Sequence, residues 1–168
     1  ADKIKQLIGV SPQETAVAPN LSVRENLELI CGIHGFSKEK TTAKIAELSE
    51  QFDLNDVLKR KAGKLSGGWQ RRVSIAMALI SEPEILFLDE PTTGLDPQTR
   101  HTLWEVISGL RKQTGMTVFL TTHYMEEAAE ADYIVILDSG KISAEGTPLE
   151  LKNKYSSDYI TLYGVTEE

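Results

Sequence analysis

Apolar residues follow two periods along this chain, and the periods alternate: short β-branched or unbroken apolar runs give way repeatedly to stretches with apolar residues three and four apart. Lys5 to Val10 reads as a short buried strand, broken by Ser11-Pro12. Ser22 with Glu25 forms a capping box, and Val23, Leu27, Ile30 and His34 share one face, which predicts a helix to about His34. Ile45, Leu48 and Phe52 predict a second helix over Lys38 to Phe52, followed by a shorter one at Asn55 to Lys59. Ser66 can cap a helix through Val73, Ile75, Ala76, Met77 and Ile80. Ile85 to Leu88 is read as a buried strand. A helix over Pro97 to Thr114 follows, with Leu103, Val106, Ile107 and Leu110 on one face and Gly115 as its stop. Thr117 to Thr121 is a β-branched strand, Tyr124 to Ala131 a helix, and Tyr133 to Leu137 a run apolar enough for burial on both faces. Asp138-Ser139-Gly140-Lys141 predicts a hairpin turn, Pro148 opens a helix toward Tyr155, and Tyr159 to Tyr163 alternates like a last strand. Strands alternating with helices point to an α/β chain with a largely parallel sheet.

With 168 residues, 40% of them apolar, the chain has enough material for a hydrophobic core. No run is long and apolar enough to span a membrane and Ala1 to Lys5 lacks a signal-peptide core, so a cytosolic location is expected. The one cysteine, Cys31, excludes an internal disulfide and a CxxC metal site and is expected in the core. A net charge of −7 argues against nucleic acid as the main partner. Locally, Lys59, Arg60, Lys61, Lys64, Arg71 and Arg72 make a basic patch where an anion could dock; the competing reading is a solvated helix end.

Candidate chemistry starts at Ile85-Leu86-Phe87-Leu88-Asp89-Glu90, an apolar strand ending in two carboxylates. In an open α/β sheet ligands lie beyond the carboxyl ends of the strands, so Asp89 could accept a hard cation while Glu90 orients or deprotonates a water. The alternative is a strand running into an acidic, solvated turn. Ser66-Gly67-Gly68 opens a helix whose bare N–H groups and positive dipole end suit a phosphate, against the alternative of a flexible loop. His34 and His101 are read as structural, capping or core, histidines.

Taken together these segments resemble the ATP-binding subunit of ABC transporters. Leu65-Ser66-Gly67-Gly68-Trp69-Gln70-Arg71-Arg72 resembles the family's signature sequence, with Trp69 where glutamine is frequent. Ile85 to Glu90 resembles its Walker B strand, and Gly94-Leu95-Asp96-Pro97 its D-loop. His123 is similar to the switch histidine, Gln13 to the Q-loop glutamine, and Ser22 to Leu27 to the start of the helical subdomain, all in family order. The resemblance implies an α/β, P-loop NTPase-like (RecA-like) parallel sheet core, incomplete, with an inserted helical signature subdomain. Residues 1–13 and 83–156 would be the partial ATPase core, 14–82 the helical subdomain, and 157–168 a C-terminal extension. It implies ATP and Mg²⁺ as ligands, with Glu90 as general base, Asp89 holding the metal through water, and Gln13 contacting metal and water. His123 would touch the γ-phosphate, and Ser66, Gly67, Gly68 and Asp96 would bind nucleotide in a head-to-tail dimer with a second ATP-binding subunit. A transmembrane domain is the implied partner, at the cytoplasmic face of the cell membrane. The wording from Thr121 to Ala128 is most like drug- or lipid-type exporters.

The phosphate-cradling run G-x-x-x-x-G-K-[ST] is expected ahead of Gln13, where twelve residues stand. Gly63-Lys64 and Gly140-Lys141 continue into Leu65 and Ile142 and do not supply it. The expectation is therefore a chain that begins after the first strands and helix of an ATPase domain and binds ATP weakly or not at all by itself. A sheet left open between the strands around Val118 and Val135 would recruit other chains through its edges, giving oligomers or strand exchange. Two alternatives are a soluble ABC ATPase of DNA repair or translation, and a non-catalytic module that docks through the Q-loop and helical lobe.

Overall fold

A computed structural model describes residues 7–155. These fall into two compact units, one within Ala1–Thr121 and one within Thr122–Glu168. The strand expected over Tyr159 to Tyr163, and residues 157–168 as a whole, lie outside the described residues.

In the larger unit, β1 (Ile8–Ser11), β2 (Ile85–Asp89) and β3 (Thr117–Thr121) form a parallel sheet in the order β1-β2-β3. Its register pairs Val10 with Phe87 and Phe87 with Phe119, and Ser11 with Leu88 and Leu88 with Leu120. Parallel neighbours need long crossovers, and the intervening helices supply them. Between β1 and β2 run α1 (Val23–Ile33), α2 (Lys38–Gln51), two 3₁₀ turns (Asn55–Val57 and Ala62–Lys64) and α3 (Gly67–Ala78); between β2 and β3 runs α4 (Pro97–Thr114).

Local chemistry sets these boundaries. Ser22 Oγ accepts the Glu25 N–H at 3.2 Å while Glu25 Oε2 accepts the Ser22 N–H at 2.7 Å, so the expected capping box starts α1. Buried Asn26 closes the preceding loop by accepting the Ala18 N–H at 2.7 Å and donating to Ser22 O at 2.9 Å. Ser37 caps α2 and Asp96 caps α4 with Pro97 in its first turn; Gly115, at φ +71°, ends α4 in the left-handed conformation that glycine adopts without strain. The helices and one side of the sheet enclose a continuous core that includes Leu27, Cys31, Ile45, Leu48, Phe52, Ile75, Leu86, Leu88, Leu103 and Ile107.

Several expectations need correction. Ser11 does not break β1: it pairs with Leu88, and its hydroxyl lies 3.0 Å from the Ser74 hydroxyl, so its polar group is satisfied within the fold. The short helix after Phe52 is a 3₁₀ turn that ends at Val57. β2 is buried on one face only. Leu86 and Leu88 point into the core, while the other face carries Val10 and Phe119, 58% and 56% exposed, with the rings of Phe87 and Phe119 5.4 Å apart. β3 has a strand partner on one edge only among the described residues. His34 is exposed; its backbone N–H ends α1 on Ile30 O, and its ring lies 6.3 Å from Phe36. His101 is likewise exposed, 3.6 Å from Glu105.

The smaller unit contains α5 (Met125–Ala129), the antiparallel pair β4 (Ile134–Asp138) and β5 (Lys141–Gly146), and α6 (Pro148–Tyr155). Ser139 and Gly140 both have positive φ, which gives the tight hairpin its compatible twist. Thr147 and Glu150 form a second reciprocal cap at the start of α6. β4 was expected to be buried on both faces, yet Val135, Ile136 and Leu137 are exposed. Among the described residues it pairs only with β5, in a two-stranded sheet that covers little surface.

Candidate active site

Three parallel strands end on the same side of the sheet, and the polar residues at those ends converge. Asp89 closes β2 and Glu90 follows it at φ +43°, a left-handed conformation that costs a non-glycine residue on the order of 1 kcal/mol or more. Hydrogen bonds hold that turn. The Glu90 N–H donates to Thr121 Oγ1 at 3.0 Å, and the same hydroxyl donates to Asp89 Oδ1 at 2.6 Å. Glu90 Oε2 accepts Gln13 Nε2 at 3.0 Å and Thr93 Oγ1 at 2.8 Å. Gln13, Asp89 and Glu90 are thus brought together, with Thr93 and Thr121 as supports that sequence reading passed over. A hydroxyl residue at the strand end beside an acidic pair was the available signal for Thr121.

The loop at Pro12-Gln13 is also fixed from α3. Arg71, 5% exposed, donates through Nη1 to Pro12 O at 2.7 Å and through Nη2 to Gln13 O. Burial lowers the affinity of its guanidinium for its proton, and the charge of Asp89 acts in the opposite direction. Arg72 lies over the Trp69 ring at 4.9 Å and 3.7 Å from Asp53. Neither arginine is the free cation of a phosphate-docking patch: the Pro12 and Gln13 carbonyls take Arg71, and Trp69 and Asp53 take Arg72.

Ser66 occupies the N-cap position of α3 but its side chain makes no capping bond, so the hydroxyl expected to cap the helix leaves the N–H groups of the first turn open. The two glycines differ. A Cβ on Gly67 would meet nothing within 4 Å, whereas one on Gly68 would stand 3.1 Å from Thr99 Cγ2. Gly68 therefore lets the starts of α3 and α4 approach, and Gly67 is the position that keeps the surface bare. Asp96 is engaged at the start of α4, accepting Thr99 Oγ1 at 2.6 Å and the Thr99 N–H at 3.0 Å, and these bonds hold its carboxyl below the usual range. His123 belongs to the smaller unit and is exposed, its ring 4.3 Å from that of Tyr124.

Among the described residues no cluster of three or more His, Cys, Asp or Glu could hold a metal by itself. Asp89 with the amide of Gln13 offers a few hard oxygen donors, which fits a magnesium ion that keeps its waters and gains phosphate oxygens from a substrate. No helix of the described residues is long and apolar enough to cross a membrane.

Comparison with known proteins bears on the family and the fold. The family model described as "ABC transporter" matches residues 1–93. The chain is 41% identical over 162 residues to the Nod factor export ATP-binding protein I of Burkholderia orbicola, covering 95% of this chain and 53% of that protein. It is 44% identical over 152 residues to the doxorubicin resistance ATP-binding protein DrrA of Mycobacterium tuberculosis, covering 90% of this chain and 46% of that one. The chain spans about half the length of these curated relatives. Among solved structures, a post-hydrolysis dimer of the ATP-binding cassette MJ0796 with ADP and Pi superimposes with a TM-score of 0.76 at 30% identity, covering 85% of this chain and 63% of that one. The ATP-binding subunit of an ABC transporter superimposes at 0.74 and 27% identity, covering 89% and 62% of the two chains. The fold is that of the P-loop NTPase-like ATPase domains, and the chain belongs to the ABC transporter family.

Proposed function

We propose that this chain contributes the water-activating part of an ATPase site that drives an ABC transporter. The observation that carries the reading is the junction of Gln13, Asp89, Glu90 and Thr121 at the carboxyl ends of three parallel strands. Phosphoryl transfer to water needs a positioned nucleophile and compensation of charge on the transferred group. Glu90 accepts the proton of the attacking water and Gln13 fixes the direction of its carboxylate; Asp89, oriented by Thr121, would hold magnesium through water. The chemistry such an ion would supply, bound with ATP, is neutralisation of charge on the phosphate oxygens. His123 is assigned to the γ-phosphate. The phosphate cradle of such a site is not among these residues.

Ser66, Gly67 and Gly68, with Asp96, are assigned to the nucleotide of a second subunit in a head-to-tail dimer; the dimeric state of the MJ0796 relative supports that arrangement. Residues 14–82 act as the helical subdomain between the two stretches of ATPase core, 1–13 and 83–156. The export and drug-resistance names of the relatives support a drug- or lipid-type exporter, docked on a transmembrane domain at the cytoplasmic face. The test is phosphate release by the full-length protein with its membrane partner. Glu90→Gln lowers turnover about 10²–10⁴-fold and leaves ATP binding in place. Undiminished turnover in that variant overturns the reading.

A further inference from the structure

The signature helix and the Q-loop meet in a ladder of side-chain contacts that neither motif's assigned role uses. From α3, Ser74 meets Ser11 at 3.0 Å, Arg71 reaches the carbonyls of Pro12 and Gln13, and Gln70 Oε1 accepts Thr15 Oγ1 at 3.4 Å while its own amide donates to Leu65 O at 3.0 Å. Positions 70, 71 and 74 lie on one face of a helix, so a single rigid element holds residues 11, 12, 13 and 15 together. The central rung differs in kind from its neighbours. A guanidinium presents its donors in a planar fork, and here the fork spans two consecutive carbonyls from a buried position. The same residue whose carbonyl it grips, Gln13, sends its side chain to Glu90 Oε2 at 3.0 Å.

We infer that Arg71 is a positioning residue for hydrolysis: it ties the placement of the signature helix to the side-chain direction of Gln13, and through Gln13 to the carboxylate of Glu90. The inference rests on the hydrolytic reading above. The path is short and continuous, from helix to guanidinium to loop carbonyl to amide to carboxylate, and each step is a hydrogen bond. A displacement of α3 therefore moves the Q-loop backbone directly, and a misplacement of about 1 Å at a reacting group is enough to cost up to about 100-fold in rate. Lysine at this position keeps the charge but is a point donor that can serve one carbonyl at a time.

The test uses the full-length protein with its membrane partner. Arg71→Lys lowers kcat for ATP hydrolysis by roughly 10-fold or more and leaves KM within about twofold. Gln13→Ala, costly alone, then costs several-fold less in the Arg71→Lys background than in the wild type, because both changes break one path. Ser74→Ala, which removes a neighbouring rung, lowers the melting temperature but leaves kcat within about twofold. Unchanged kcat in Arg71→Lys, or a Gln13→Ala cost equal in both backgrounds, overturns the inference. A readout independent of activity and of variant folding is the arginine side-chain ¹⁵N spectrum of the wild-type protein. Restricted, separately resolved Nη signals for Arg71 are expected, and one averaged signal overturns the fork. Loss of hydrolysis in Glu90→Gln with none in Arg71→Lys refutes the coupling alone; retained hydrolysis in Glu90→Gln refutes the hydrolytic reading itself.

Discussion

Thr121→Val isolates the hydroxyl that holds the acidic turn. Valine matches threonine in shape and favours strand conformation equally well, so β3 itself is not weakened. What is lost is the donor to Asp89 Oδ1 at 2.6 Å and the acceptor for the Glu90 N–H at 3.0 Å. A hydrogen bond to a carboxylate contributes about 1.5–3 kcal/mol when shielded, but Thr121 and Asp89 are both exposed and water can replace part of it. About 1 kcal/mol remains for that bond, and the lost bond from the Glu90 N–H to Thr121 in a strained turn adds up to about 1 kcal/mol more. The expected loss is about 1–2 kcal/mol, which at a urea slope of about 2 kcal/mol/M lowers the midpoint by roughly 0.5–1 M. Both tryptophans of the chain, Trp69 and Trp104, lie in the larger unit, so intrinsic fluorescence reports the unit that contains the substitution. An unmoved midpoint refutes the reasoning, because it means the hydroxyl bridges nothing of consequence. A changed slope at constant midpoint points instead to an altered denatured state.

Acid stability and the two signature glycines give further tests. Glu25 is held below its ordinary 4.5 by the Ser22 N–H and then the Ser22 hydroxyl, Glu82 by its hydrogen bond from Lys44, and Asp96 below 3.8 by the Thr99 hydroxyl and N–H. Depressed folded-state values mean that this stabilisation is complete above the unfolded-state values and disappears as pH falls through the folded ones. The urea midpoint is therefore expected to hold down to 4.5 and to decline below it, and a midpoint that rises on acidification in that range contradicts the assignment. Gly67→Ala is expected to be neutral or stabilising by up to about 1 kcal/mol, since its Cβ meets open space. Gly68→Ala is expected to lose about 1 kcal/mol, because Thr99, 3.1 Å away, is tethered to Asp96 at 2.6 Å. Thermal melts of the two variants in the opposite order contradict the packing described for Gly68.

What was legible in the residues is mostly what depends on near neighbours. The cap at Ser22, the Pro97 start and Gly115 stop of α4, and the hairpin at Ser139-Gly140 are each decided within four residues of chain, and each is found where the pattern places it. The acidic strand end was legible for the same reason, and Gln13 joins it in space. Burial was less legible, because it depends on what lies across the space from an element. The apolar run of β4 resembles a central strand, yet its only strand partner among the described residues is β5. Arg71 shows the limit most clearly. Its charge reads as a surface cation, but a helix position does not say whether the neighbour is water or a carbonyl, and here two carbonyls from residues nearly sixty positions earlier take it.

The order of strands in the sheet has a kinetic consequence. β2 and β3 are joined through the single helix α4, whereas β1 must find β2 across roughly seventy residues; the longer closure costs on the order of 1 kcal/mol more chain entropy. Nucleation is thus favoured at the β2–α4–β3 crossover unit, which already holds Asp89, Glu90 and Thr121, and β1 arrives late. A partly folded chain would carry both acids without the glutamine that aims one of them, and would acquire that glutamine only when the last strand docks.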